Sequence, residues 1–202
     1  VAEESDLIVQ LGDWMLEQAC RMLVRPEFVQ QGWRLSVNVS WRQFRQPDVV
    51  DKLKRTLAAT GADPRRLTLE VTESVVMRDV DEARERMAEL QLLGVEMGLD
   101  DFGTGYSSLA YLQRLPFREL KIDKSFVQDC HTSPGNAAMV EAILLLARRL
   151  RLRVVAEGVE TEEQAGTLRA WNQDVLFQGY HYGRPLPAVE WVDLQLGAPA
   201  GV

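Results

Sequence analysis

Histidine and cysteine are scarce in this 202-residue chain, with two of each. His131 and His181 are too few for a three-ligand zinc catalytic set, so they read as surface or packing residues. Cys20 and Cys130 stand far apart in no metal-binding or redox spacing and read as buried free thiols. No apolar run approaches the roughly 20 residues that cross a membrane. The longest, from Ala142 to Ala147, stops at Arg148 and Arg149. The opening lacks the basic, apolar and small-residue succession of a secretion signal, which makes the cytoplasm the expected compartment. Positive charge is in deficit, with 23 Lys and Arg against 30 Asp and Glu and a formal charge of −7. That balance excludes a long nucleic acid gripped through many phosphate contacts. It leaves room for a small phosphorylated ligand neutralised by metal ions or a few basic residues. Short-period repeats and low-complexity tracts are also lacking, apart from the small-residue tail Gly197 to Val202.

What is present is enough apolar sequence, 46% of residues, to bury the core of one domain. Short runs rich in β-branched residues alternate with longer segments of helical period, the pattern of parallel βα units and an α/β fold. The expected strands are Leu35 to Val39, Leu67 to Val71, Val95 to Leu99, Glu119 to Ile122, Arg153 to Ala156 and Val175 to Phe177. The expected helices are Leu7 to Val24, Val49 to Thr60, Asp81 to Leu93, Ser108 to Gln113, Ala137 to Leu150 and Glu162 to Trp171. Gly61, Gly94 and the turn at Pro64 punctuate them.

Each expected strand ends on or just before a residue able to bind metal or phosphate: Asn38, Glu70, Asp100 with Asp101, Lys121 with Asp123, Glu157, and Gln178. In a closed parallel barrel all strand C-termini open on one face, so these side chains would converge on a single mouth. An open doubly wound sheet would gather ligands from only two or three strand ends near its switch point. Six consecutive polar strand ends therefore favour a TIM-like (β/α) barrel. A complete one has eight strands, so the sequence is expected to lack the first two.

Asp100 and Asp101 form the sharpest local feature. Adjacent carboxylates repel, and their placement at a strand end makes sense with cations beside them. Capping of the following loop explains the pair equally well on its own. Asn38, Glu70 and Glu157 at equivalent points of other strands shift the balance toward a cation site. Oxygen ligands without His or Cys suit Mg²⁺ or Mn²⁺ better than zinc. Two such ions on shared carboxylates suit phosphodiester hydrolysis. Lys121 either adds positive charge toward a phosphate or is a barrel lysine paired with the neighbouring acids. In Phe102-Gly103-Thr104-Gly105-Tyr106-Ser107-Ser108 the glycines allow a tight turn over a ligand, a weak signal alone.

Six blocks, in order, resemble the signatures of the EAL domain family. They are Asn38-Val39-Ser40, Leu69 to Ser74, Asp100 to Leu109, Leu120 to Asp123, Ala156 to Thr161 and Gln178-Gly179-Tyr180. The resemblance runs from Val1 to about Pro187. It implies a barrel that binds cyclic di-GMP at its C-terminal mouth and cuts one phosphodiester to give linear pGpG. It implies metal binding by Asn38, Glu70, Asp100, Asp101 and Glu157, with two Mg²⁺ or Mn²⁺ ions, and catalysis by Lys121, Glu157 and Asp101. Arg42, Glu160 and Gln178 correspond to substrate-contacting positions, and Glu73 to the glutamate that anchors the loop after Asp101. A homodimer is implied, as are sensory or GGDEF-type domains elsewhere in the parent protein.

The sequence departs from the family in one large respect. The Glu-Ala-Leu motif, with a further metal-binding glutamate, belongs before Val1, and a polypeptide beginning at Val1 is expected to hydrolyse poorly or not at all. The domain is expected over residues 1–196, with 197–202 a flexible tail. Trp41, where the family commonly has a small residue, and His181-Tyr182 after Gln178-Gly179-Tyr180 are smaller departures at the rim, with no specificity read into them. The alternative function is an inactive EAL domain that binds cyclic di-GMP as a sensor or acts as an interaction module.

Overall fold

The computed structural model describes residues 7–77, 79–104 and 109–197. The expectations at Val1 to Asp6, Gly105 to Ser108 and the end of the tail from residue 198 lie outside them. Six strands run β1 (Leu35–Asn38), β2 (Leu67–Thr72), β3 (Glu96–Phe102), β4 (Glu119–Ile122), β5 (Arg153–Glu157) and β6 (Leu176–Gln178). They form one sheet in sequence order with every neighbouring pair parallel. This is the progression of a (β/α) barrel, with six strands among the described residues where a closed barrel has eight.

The expected elements stand within a few residues of their expected limits. The principal helices are α1 (Leu7–Leu23), α4 (Val49–Thr60), α6 (Val80–Leu92), α7 (Leu109–Arg114), α9 (Pro134–Leu150) and α10 (Glu162–Trp171). Between and after them lie α2 (Pro26–Gln31), α3 (Trp41–Phe44), α5 (Glu73–Met77), α8 (Lys124–Val127) and α11 (Ala188–Gln195), none of them expected from the pattern. Four of the five span no more than six residues, too short for a 3.6-residue period to declare itself. Helix α9 begins three residues ahead of the expected Ala137 because Ser133 caps it and Pro134 occupies its first turn.

Packing follows the periods. In α9, Val140, Ile143, Leu144 and Ala147 are buried, the i, i+3, i+4, i+7 stripe of a helix laid on a sheet. Strand β2 is buried on both faces from Leu67 to Val71, as a strand covered by helices on one side and barrel interior on the other must be. Each fully buried Leu or Met in this core, such as Leu99, Leu120 or Met97, contributes on the order of 2 kcal/mol. Both cysteines are buried free thiols, as expected.

The C-terminal helix returns to the start of the sheet. Trp191 of α11 meets Trp33 edge-on at 4.8 Å, and Trp33 meets Phe28 of α2 at 5.1 Å. Arg66 binds this corner from beneath, its Nε donating to the Trp33 carbonyl at 2.8 Å and its guanidinium reaching the carbonyls of Leu23 and Phe28. The Leu23 carbonyl closes α1 and has no intrahelical partner, whereas the Phe28 carbonyl also accepts from the Trp33 N–H at 3.2 Å. No helix among the described residues is long and apolar enough to cross a membrane.

Candidate active site

Parallel register brings the strand ends together. Asn38 pairs with Glu70, Thr72 with Asp100, and Glu157 with Gln178. At the centre is Lys121, whose side chain is 4% exposed. Its ammonium lies 2.6 Å from Glu157 Oε1, 2.8 Å from Glu70 Oε2 and 3.2 Å from Asp100 Oδ1. The two readings of Lys121, buried ion-pair partner and functional cation, thus describe one position.

Asp101 reaches the same place through a break in regular pairing. From Leu99 to Phe102 strand β3 advances three residues while β4 advances two, Leu120 to Ile122, so β3 carries a bulge at the acidic pair. Asp101 takes a left-handed backbone, φ 55°. Its N–H donates to Asp100 Oδ1 at 3.0 Å, and its carbonyl accepts from the Thr104 hydroxyl at 2.9 Å. Neighbours on a regular strand would face opposite sides. The bulge brings carboxylate oxygens of Asp100, Asp101 and Glu157 within 4.8 Å of one another.

The electrostatics call for cations. Burial pushes the Glu157 carboxyl above its ordinary range against the pull of Lys121, and Asp100 and Glu70 add to the rise. Burial likewise raises Asp101, with Asp100 and Asp123 adding to it. Burial alone would lower the Lys121 ammonium, but Glu70, Glu157 and Asp100 outweigh it and hold the group protonated, well above its usual value. Four carboxylates around one ammonium leave negative charge in excess, and hard divalent ions fit that all-oxygen donor set.

The mouth opens into a cleft of about 680 Å³ lined by Asn38, Arg42, Glu70, Asp100 and Asp101, together with Ile8, Trp41, Thr72 and Ser74. Arg42 sits on α3, which starts where the Ser40 hydroxyl caps it by accepting from the Gln43 N–H at 3.2 Å. Glu160 and Gln178 lie on the opposite side of the mouth, both exposed and outside the cleft wall. The Glu160 N–H donates to Gln164 Oε1 at 2.7 Å, the same oxygen that accepts the Thr161 N–H at 3.0 Å in the capping box that starts α10. Gly158, at φ 67°, passes Lys124 so closely that a Cβ would stand 2.6 Å from that side chain, which fixes the chain just after Glu157. Glu73 is buried at the start of α5. Burial first, and then the nearby Glu73 carboxylate, push the Tyr111 phenol of α7 far above its usual range, and the Tyr111 hydroxyl has no hydrogen-bond partner among the described residues. The glutamate expected to anchor the loop after Asp101 thus lies near the helix on that loop's far side.

Three contributors escaped the sequence reading. Trp41 was noted only as a departure at the rim, while Thr72 and Ser74, linked at 3.0 Å between their hydroxyls, carried no signal beyond lying near Glu70 and Glu73.

Comparison with known proteins agrees with this geometry. The family described as "EAL domain" matches residues 1–185. The bifunctional diguanylate cyclase/cyclic di-GMP phosphodiesterase MucR of Pseudomonas aeruginosa is 45% identical over 189 residues, 93% of this chain and 27% of that protein. The cyclic di-GMP phosphodiesterase NbdA of the same organism is 42% identical over 188 residues, 93% of this chain and 24% of that protein. The chain thus spans about a quarter of the length of these curated relatives. Among solved structures, the MucR phosphodiesterase in complex with c-di-GMP superposes with a TM-score of 0.86 at 43% identity, covering 94% of this chain and 77% of that one. The EAL enzyme Bd1971, in its form bound to cAMP and cyclic di-GMP, gives 0.89 at 30% identity, covering 96% and 53%.

Proposed function

The chain belongs to the EAL domain family, and from that premise we propose that it hydrolyses cyclic di-GMP to linear pGpG. The observation that carries this is Lys121 held by Glu70, Asp100 and Glu157 at the strand ends, with Asp101 turned in beside them. Asp100, Asp101 and Glu157 have the oxygens to hold divalent ions, Mg²⁺ or Mn²⁺, with Glu70 and Asn38 beside them. Two such ions would supply Lewis acidity toward the phosphate and lower the pKa of a water molecule. The chain's own groups do the rest. Lys121 fixes three carboxylates in one orientation and keeps a protonated ammonium at the floor of the cleft, able to donate to a water or a phosphate oxygen. Arg42, on the cleft wall, presents a planar guanidinium suited to a phosphodiester oxygen pair. Glu160 and Gln178 face the other end of the mouth, where a second half of a dinucleotide would lie. Glu73, buried where β2 passes into α5, is assigned to steadying the loop beyond Asp101.

The proposal extends to the rest of the molecule. We take the domain to run over residues 1–196, since α11 packs back on Trp33 through Trp191. The MucR relative carries a diguanylate cyclase in its name and about four times the length, which supports a multidomain parent with sensory or GGDEF-type units. A cytoplasmic homodimer completes the reading.

The test is incubation of the protein with cyclic di-GMP and Mg²⁺ or Mn²⁺, following pGpG by chromatography. Product is expected at full domain length, and it disappears with chelator and in Asp101→Asn. Cyclic di-GMP binding without product at full domain length would instead identify a sensor.

A further inference from the structure

The wall of the cleft beside the carboxylates includes an indole, that of Trp41. Its placement is rigid. The one-turn helix that carries it is capped by Ser40 and locked by Gln43, 1% exposed, whose amide donates to Asp13 Oδ1 of α1 at 3.3 Å. The Arg45 guanidinium stands over the ring, 5.2 Å from its centroid, a cation–π contact that further restricts the rotamer. The ring is partly buried against the core yet lines the cleft, and phosphodiester chemistry has no use for an indole. A flat apolar ring bordering an otherwise charged cleft matches a purine base, whose face stacks on aromatic side chains while its phosphate goes to the polar groups alongside. Arg42, the next residue, supplies that polar neighbour.

We propose that Trp41 is a specificity-determining residue that stacks on one guanine base of the substrate. The proposal rests on the cyclic di-GMP reading above and adds what that reading leaves open, which surface receives a base. It accounts for a large side chain at the rim where a small one would leave the cleft wider.

The experiment compares Trp41→Ala and Trp41→Phe with the unaltered protein on two substrates, cyclic di-GMP and bis(p-nitrophenyl) phosphate, which carries no purine. Binding of cyclic di-GMP is measured by calorimetry in an Asp101→Asn background, where turnover is blocked. Trp41→Ala is expected to raise KM and Kd for cyclic di-GMP about tenfold, with kcat changed less than about threefold. Trp41→Phe retains most of the affinity, and neither variant alters turnover of bis(p-nitrophenyl) phosphate. Unchanged affinity in Trp41→Ala overturns the proposal, and so does an equal loss on both substrates, which marks a structural role. Binding that depends on Trp41 without hydrolysis by the unaltered protein would retain the stacking assignment and remove the enzyme reading. Neither binding nor hydrolysis would remove both.

Discussion

Asp101 follows Asp100 in a left-handed backbone, φ 55°, and donates its N–H to the Asp100 carboxylate at 3.0 Å. A left-handed conformation costs an L-residue roughly 1–2 kcal/mol. The strain is tolerated because it turns two neighbouring carboxylates to one side of a strand.

That strain is measurable. Asp101→Gly should be more stable than Asp101→Ala by about 1 kcal/mol in urea unfolding under chelation, because glycine adopts the left-handed region without a Cβ clash. Both variants should lose at least about a hundredfold in activity, as an oriented metal ligand is gone. Equal stability of the two would show that position 101 is not strained.

Lys121 balances the buried Glu70 and Asp100 and the partly buried Glu157, so Lys121→Met should destabilise the metal-free protein by about 3–5 kcal/mol, the cost of stranding buried charge. Added Mn²⁺ should recover part of that loss by occupying the vacated acidic site. The check is thermal unfolding with chelator and with Mn²⁺. A Lys121→Met protein whose Tm equals that of the unaltered chain in chelator would contradict the balance.

Tyr111 of α7 lies near Glu73, which follows the end of β2. Tyr111→Phe removes a buried hydroxyl that has no hydrogen-bond partner among the described residues, so it should be neutral or stabilising by up to about 1 kcal/mol. A double-mutant cycle with Glu73→Gln should show coupling of at least about 0.5 kcal/mol. Additive effects would place the anchor elsewhere.

The Cys20 thiol, fully buried, is pushed up to about 11 by burial. In the unfolded chain a thiol titrates near about 8.5. The folded state therefore holds a proton that the unfolded state releases as pH rises above that value. Its contribution is complete below about pH 8.5 and is lost toward pH 11, at up to about 1.4 kcal/mol per pH unit. Urea midpoints at pH 8 and pH 10 should converge in Cys20→Ala relative to the unaltered protein. The same pH dependence in both would locate the titrating group elsewhere.

Much of this was legible in the sequence because it is local. The six strands, the six longer helices and the polar residue ending each strand follow from apolar periods and punctuation, and parallel connection then sends those residues to one face. The short helices α2, α3, α5 and α8 were not, since a four- to six-residue turn leaves no periodic trace and is set by caps and packing.

The sequence by itself determined the fold class, the family and the candidate oxygen donors. Tertiary structure alone decided how they meet. Asp100 and Asp101 face the same way only because β3 gains a residue against β4, a property of the pairing between strands. Lys121 contacts Glu70, 51 positions away, through registers fixed by the whole sheet. The Trp41 indole lines the cleft because Gln43 of α3 is bonded to Asp13 of α1. Strand identity is set by each segment's own residues, whereas side-chain convergence depends on contacts between segments distant in the chain.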